Sequence, residues 1–150
     1  MISNIVIMNM RGDVLIYRDY KNDIKRGEFI RFSSHLLSAE GLNEDPIVYF
    51  KGVSYFWVKH HDLYLIASTK SNPNAGIVFQ FLHSFIGICK GYFDGSFSHT
   101  IIKKNFVVIY ELLDEIMDYG VPQITETELL KAYIQEGGTP KALNDLGITN

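Results

Sequence analysis

The chain has 150 residues, of which 14 are Lys or Arg and 17 are Asp or Glu, giving a formal charge of −3 and a pI near 5.9. That balance excludes the strongly basic face a nucleic-acid binder needs. The single cysteine, Cys89, excludes an intramolecular disulfide and a thiolate-rich zinc cage. With 47% apolar residues there is material for one domain with a sizeable core, and too little chain for two.

The opening MISNIVIMNM has no basic leader and passes straight into a strand pattern, so no signal peptide is expected. No run approaches the ~18 apolar residues of a membrane span, which points to a cytosolic chain. Ile5 to Met8 is a continuous apolar run, as in a central strand covered on both faces. Arg11-Gly12-Asp13 is then a tight turn, and Val14 to Tyr17 the return strand. Six basic residues between Arg11 and Arg31 are interleaved with Asp13, Asp19, Asp23 and Glu28, which makes a mixed solvated surface rather than an anionic-membrane patch.

Phe29, Phe32, Leu36 and Leu37 predict a short helix over 27–39, closed by the Gly41 to Pro46 loop. Ile47 to Phe50 is a candidate short strand. The runs 53–59 and 63–69, joined by His60-His61-Asp62, predict an antiparallel hairpin. Asn72 followed by Pro73 looks like a helix start, and the glycines at 87, 91 and 95 like its fraying end before a loop. Cys89, among Phe85, Ile86 and Ile88, is a buried thiol in that helix.

Residues 98–119 carry the longest helical pattern. Ile102, Phe106, Ile109, Leu113 and Ile116 fall on one side of a 3.6-residue helix, with Ser98 as its cap and Gly120 and Pro122 as its stop. Val108 and Leu112 on one flank, Tyr110 and Met117 on the other, widen the apolar arc to roughly half the circumference. That exceeds what one sheet face hides. The opposite arc holds Lys104, Glu111, Asp114, Glu115 and Asp118, with Val107 as its one apolar member. Beyond it, Thr125 to Glu128 matches a capping box and predicts a short helix with Leu129, Leu130, Tyr133 and Ile134. Together these elements predict an α/β (α+β) domain, an α/β/α sandwich with a five-stranded, mostly antiparallel sheet and helices on both faces. Residues 137–150 read as a linker.

No catalytic, cofactor-binding or metal motif emerges. The five histidines lack partners at ligand spacing, and the i, i+4 carboxylates of the long helix lie on its solvated arc. Tyr110-Glu-Leu-Leu113 spells a tyrosine sorting signal but sits within the helix, where it serves the core. What remains is apolar surface without a site, which points to a standing protein interface; Phe29, Phe32, Tyr55, Trp57, Val108 and Leu112 are its candidates.

Asn105 to Gln123, NFVVIYELLDEIMDYGVPQ, resembles the signature of the medium (mu) chains of clathrin-associated adaptor complexes. MISNIVIMNMRGDVLIYRDYKNDI and WVKHHDLYLIASTKSNPNAGIVFQFL resemble that family's opening hairpin, central hairpin and first long helix, in order. The resemblance implies a longin domain over 1–136 and, in 137–150, the start of a linker to a C-terminal mu homology domain that these residues do not contain. It implies a non-enzymatic subunit of a heterotetramer, held by a large (beta-type) adaptin chain. Clathrin, cargo and membrane would be met only through the complex, at coated pits or at Golgi and endosome vesicles. Val121, Pro73 and the glycines around Gly91 depart from the family pattern. DIKRGEFIRF, TKSNPNA and YFDGSF resemble the endocytic plasma-membrane complex, KHHDLYL and the tail Gly147 to Asn150 the Golgi and endosome one, and the resemblance places the endocytic complex first and the other second. Thr149 is the best positional match to a regulatory phosphothreonine of the linker. Two other readings stand beside this one: a profilin- or PAS-like small-ligand sensor, and another longin module that binds a SNARE or a small GTPase.

Overall fold

In a computed structural model, residues 1–38 and 45–122 are described. Strand β1 (Asn4–Asn9) turns into β2 (Val14–Asp19), and helix α1 (Arg26–Leu36) follows. Then come β3 (Ile47–Phe50), β4 (Val53–His60) and β5 (Leu63–Thr69), helices α2 (Ala75–Tyr92) and α3 (His99–Ile116), and a small hairpin of β6 (Met117–Asp118) and β7 (Val121–Pro122). The first five strands form one antiparallel sheet in the order β2-β1-β5-β4-β3.

The sandwich expected from the sequence is present, with unequal layers. Side chains alternate across a strand with period two. Ile5, Ile7, Leu65 and Ala67 therefore face α2 and α3, where they meet Phe81, Phe85, Ile102, Ile109 and Leu113. Val6, Met8, Tyr64 and Ile66 face α1, where they meet Phe29, Phe32 and Leu36. All residues of β1 and β5 are buried, as two-sided coverage requires.

Turn chemistry fixes the register. The Asn9 side-chain oxygen accepts from the amides of Arg11 and Asp13, both at 2.9 Å, and Gly12 sits at φ +91°, so Arg11-Gly12-Asp13 is a structural turn. Lys51 (φ 51°) and Gly52 (φ 84°) make the two-residue turn between β3 and β4.

Several boundaries differ from expectation. Helix α1 ends at Leu36, short of residue 39. Helix α2 begins at Ala75, because the side-chain oxygen of Asn74, not Asn72, reaches the Ile77 amide at 3.2 Å. It then runs through Gly87 and Gly91 to Tyr92, so those glycines lie inside the helix. Helix α3 stops at Ile116. The next residues turn back as β6 and β7 through Tyr119 (φ 47°) and Gly120 (φ 86°). A Cβ on Gly120 would lie 2.2 Å from the Ile2 carbonyl oxygen, while the Ile2 amide donates to the Gly120 carbonyl at 3.0 Å. Only glycine permits that approach. The expected helix over 125–136, the linker at 137–150 and Thr149 lie outside the described residues.

Candidate protein-docking surface

Helix α3 is broken once, at Asn105, whose backbone (φ −134°, ψ 28°) leaves the helical region while its side-chain amide donates to the Ile101 carbonyl at 2.9 Å. The break corrects the predicted core series: Ile102, Ile109, Leu113 and Ile116 are buried, but Phe106 is turned out and 53% exposed. Val107 beside it is 55% exposed, and Val108 and Leu112 are half-buried. Of the residues that widened the sequence-derived arc, Met117 alone is enclosed by its own chain.

Tyr110 has a separate task. Its hydroxyl accepts from the Tyr17 amide at 3.0 Å and donates to the Tyr17 carbonyl at 3.3 Å, tying α3 to the outer side of β2. One turn on, Asp114 accepts from Arg18 Nε at 2.7 Å. At the opposite edge, the Trp57 amide donates to the Pro46 carbonyl at 2.9 Å, so alternation along β3 aims the backbone groups of Ile47 and Tyr49 outward. Their side chains are 43% and 75% exposed.

The predicted interface residues separate into two groups. Phe29, Phe32 and Tyr55 are buried under α1, and the rings of Phe32 and Tyr55 stack at 3.8 Å. Burial pushes the Tyr55 phenol pKa up to about 12, and its hydroxyl donates to the Glu28 carbonyl at 3.4 Å. These three are corrected to core, since the early helix lays its aromatic side on its own sheet. Trp57 is half-buried, with Tyr64 in edge contact at 5.6 Å, and it shares no element with Val108 and Leu112. Periodicity assigned the apolar face of α1 correctly but could not say which chain it would meet. The exposure of Val107 had a signal, its solitary place on the polar arc. That of Phe106 had none short of the backbone break.

Groups that could carry chemistry are occupied or dispersed. Burial raises the Cys89 thiol pKa well above its ordinary value, which disfavours the thiolate. His60 is held below the ordinary histidine value, first by burial and then by His61 and Lys90. Glu111 and Glu115 are exposed. Among the described residues no three His, Cys, Asp or Glu side chains converge as metal ligands. An open cavity of about 580 Å³ lies between Met10, Lys59, His61, Asp62, Phe97 and Ser98, but Asp62 is already engaged by the His99 amide at 3.2 Å. No described helix is long and apolar enough to cross a membrane.

The model of the family described as "Clathrin adaptor complex small chain" matches residues 1–136. The chain belongs to that family. It is 43% identical over 136 residues to the AP-1 complex subunit mu of Dictyostelium discoideum, an alignment covering 91% of this chain and 32% of that one. With the AP-1 complex subunit mu-1 of Arabidopsis thaliana it is 38% identical over 135 residues, covering 89% and 31%. The chain thus spans about a third of the length of these relatives. Its fold matches a chain in a homology model of the full-length AP-3 complex in a stretched open conformation, with a TM-score of 0.62 at 14% identity, over 99% of this chain and 100% of that chain. At that identity the likeness speaks for the longin-like fold alone.

Proposed function

We propose that this domain is the N-terminal, non-enzymatic part of a mu-type adaptor subunit, held in a heterotetramer by a large adaptin chain of the beta type. Its work there is structural, in vesicle-mediated protein transport, and it meets clathrin, cargo and the membrane through the complex. The AP-1 names of both relatives favour that type of complex over the endocytic one to which the loop sequences incline. The observation that carries the reading is the exposed pair Phe106 and Val107 on the longest amphipathic helix. Adjacent apolar side chains more than half exposed there are what a second chain is suited to cover.

Of the residues first assigned to the interface, Trp57, Val108 and Leu112 remain available to it. Expressed alone, the chain should self-associate. Co-expressed with a beta-type large-chain trunk, it should purify as a stoichiometric complex. A monodisperse monomer that captures no trunk would remove the proposal.

A further inference from the structure

At one end of the sheet, the side covered by α1 carries a polar row. In register across four strands lie Asp19 on β2, Asn4 on β1, Ser68 on β5 and Tyr55 on β4. Alternation puts these side chains on the side shared by Val6, Tyr64 and Ile66. The other side of the same strands is apolar there, with Ile5, Ala67 and Phe56. The ends of the row are served: Asp19 Oδ1 accepts from the Asn22 amide at 2.8 Å, and the Tyr55 hydroxyl donates to the Glu28 carbonyl at 3.4 Å. The middle is not. Asn4 and Ser68 are fully buried, yet Asn4 Nδ2 and Oδ1 and Ser68 Oγ have no hydrogen-bond partner in the protein, nor have the buried Tyr17 hydroxyl and Glu28 Oε2.

These five atoms share one place. Tyr17 lies diagonal to Asn4 across the β1–β2 ladder, near enough for the Asn4 amide to bear on its hydroxyl without a hydrogen bond between them. The Arg26 guanidinium lies 4.6 Å from the Tyr17 ring centre, Phe29 meets that ring edge-on at 6.3 Å, and the Glu28 charge acts on both Tyr17 and Tyr55. The first turn of α1 therefore sits over the row. A buried polar atom without a partner costs a large share of a domain's net stability, and five together would cost most of it. A polar guest removes that cost. Glu28 Oε2 and Asn4 Oδ1 need donors while Asn4 Nδ2 needs an acceptor, and a water molecule offers both. A metal cation would give Asn4 Nδ2 nothing and would lie near the Arg26 guanidinium.

We infer that this row is a water-binding site, in which about two or three ordered waters, each making about three hydrogen bonds, bridge Asn4, Tyr17 and Ser68 of the sheet to Glu28 in the first turn of α1. The helix is then seated on water at its start and on Phe32 and Leu36 further along.

The test is a crystal structure of the full 150-residue chain at a resolution that shows ordered water, with a large-chain trunk bound if solubility requires it, together with hydrogen exchange of wild type, Asn4→Leu and Ser68→Ala. The structure should show waters within hydrogen-bond distance of at least two of Asn4, Tyr17, Glu28 and Ser68. In both variants the amides of Glu28 and Phe29, which close the first turn on the Lys25 carbonyl, should exchange about tenfold faster. The Leu37 amide, bonded to the Ser33 carbonyl at the far end of α1, should stay within about twofold of wild type. Direct hydrogen bonds among Asn4, Tyr17 and Ser68 with no water between them overturn the inference. So does a guest other than water in that place, or first-turn exchange that neither variant changes. Should Asn4→Leu fail to fold, Ser68→Ala, which removes a single oxygen, and the wild-type structure decide.

Discussion

At the β2 edge the Tyr110 hydroxyl occupies both the amide and the carbonyl of Tyr17, and Arg18 is held by Asp114. At the β3 edge the outward backbone groups of Ile47 and Tyr49 lie beside exposed side chains of their own. An open strand edge templates pairing with other chains, and proteins blunt it by covering it or by keeping it short and ending it with proline or lysine. This sheet uses the two solutions separately. Helix α3 covers one edge, whereas the other is four residues long between Pro46 and Lys51. Cover is specific and depends on single atoms. Brevity depends on none.

That difference can be broken or sharpened by substitution. The largest effect is expected from Gly120→Ala, in the hairpin that follows α3: its Cβ meets the Ile2 carbonyl and its φ is positive, so urea unfolding should show a loss of about 2–4 kcal/mol. Tyr110→Phe keeps the ring and removes the hydroxyl that serves Tyr17 twice; a loss of about 1–2 kcal/mol is expected. The variant should also self-associate more strongly in sedimentation velocity, through the uncovered β2. Asp114→Asn should cost at most about 1 kcal/mol, because its ion pair with Arg18 is partly exposed, and the difference should vanish in high salt. Tyr49→Lys at the other edge should change stability by no more than about 0.5 kcal/mol, in either direction. A large loss there, or none at Tyr110, would mean that the edges are not finished as described.

The layers were legible from periodicity because they obey it. The two-sided burial of β1 follows from Ile5 to Met8, and the core face of α2 from Phe81, Leu82 and Phe85. Caps and turns were legible where one residue has a dedicated role, as at Ser98 and Gly12. Choices between near-equivalent residues were not: Asn72 and Asn74 both suit a helix start, and the folded chain decides it, because the Asn74 side chain is the one that reaches the Ile77 amide. The interface was least legible, for a physical reason. Phe29, Phe32 and Tyr55 have the composition of a binding surface, yet the same composition builds the core beneath α1. Phe106 kept perfect helical spacing while the backbone beneath it did not.

The middle of the sheet also bears on folding kinetics. β1 and β2 are joined by a tight turn, and so are the strands from β3 to β5, so each group can zip up locally; in the sheet the two groups meet along the β1–β5 ladder, from Asn4 opposite Ser68 to Asn9 opposite Leu63. Joining them closes a long stretch of chain before its contacts repay the lost entropy. Until β5 arrives, the all-buried β1 has one side bare, so the newly made chain is most prone to misassociation during the wait for its own central pairing.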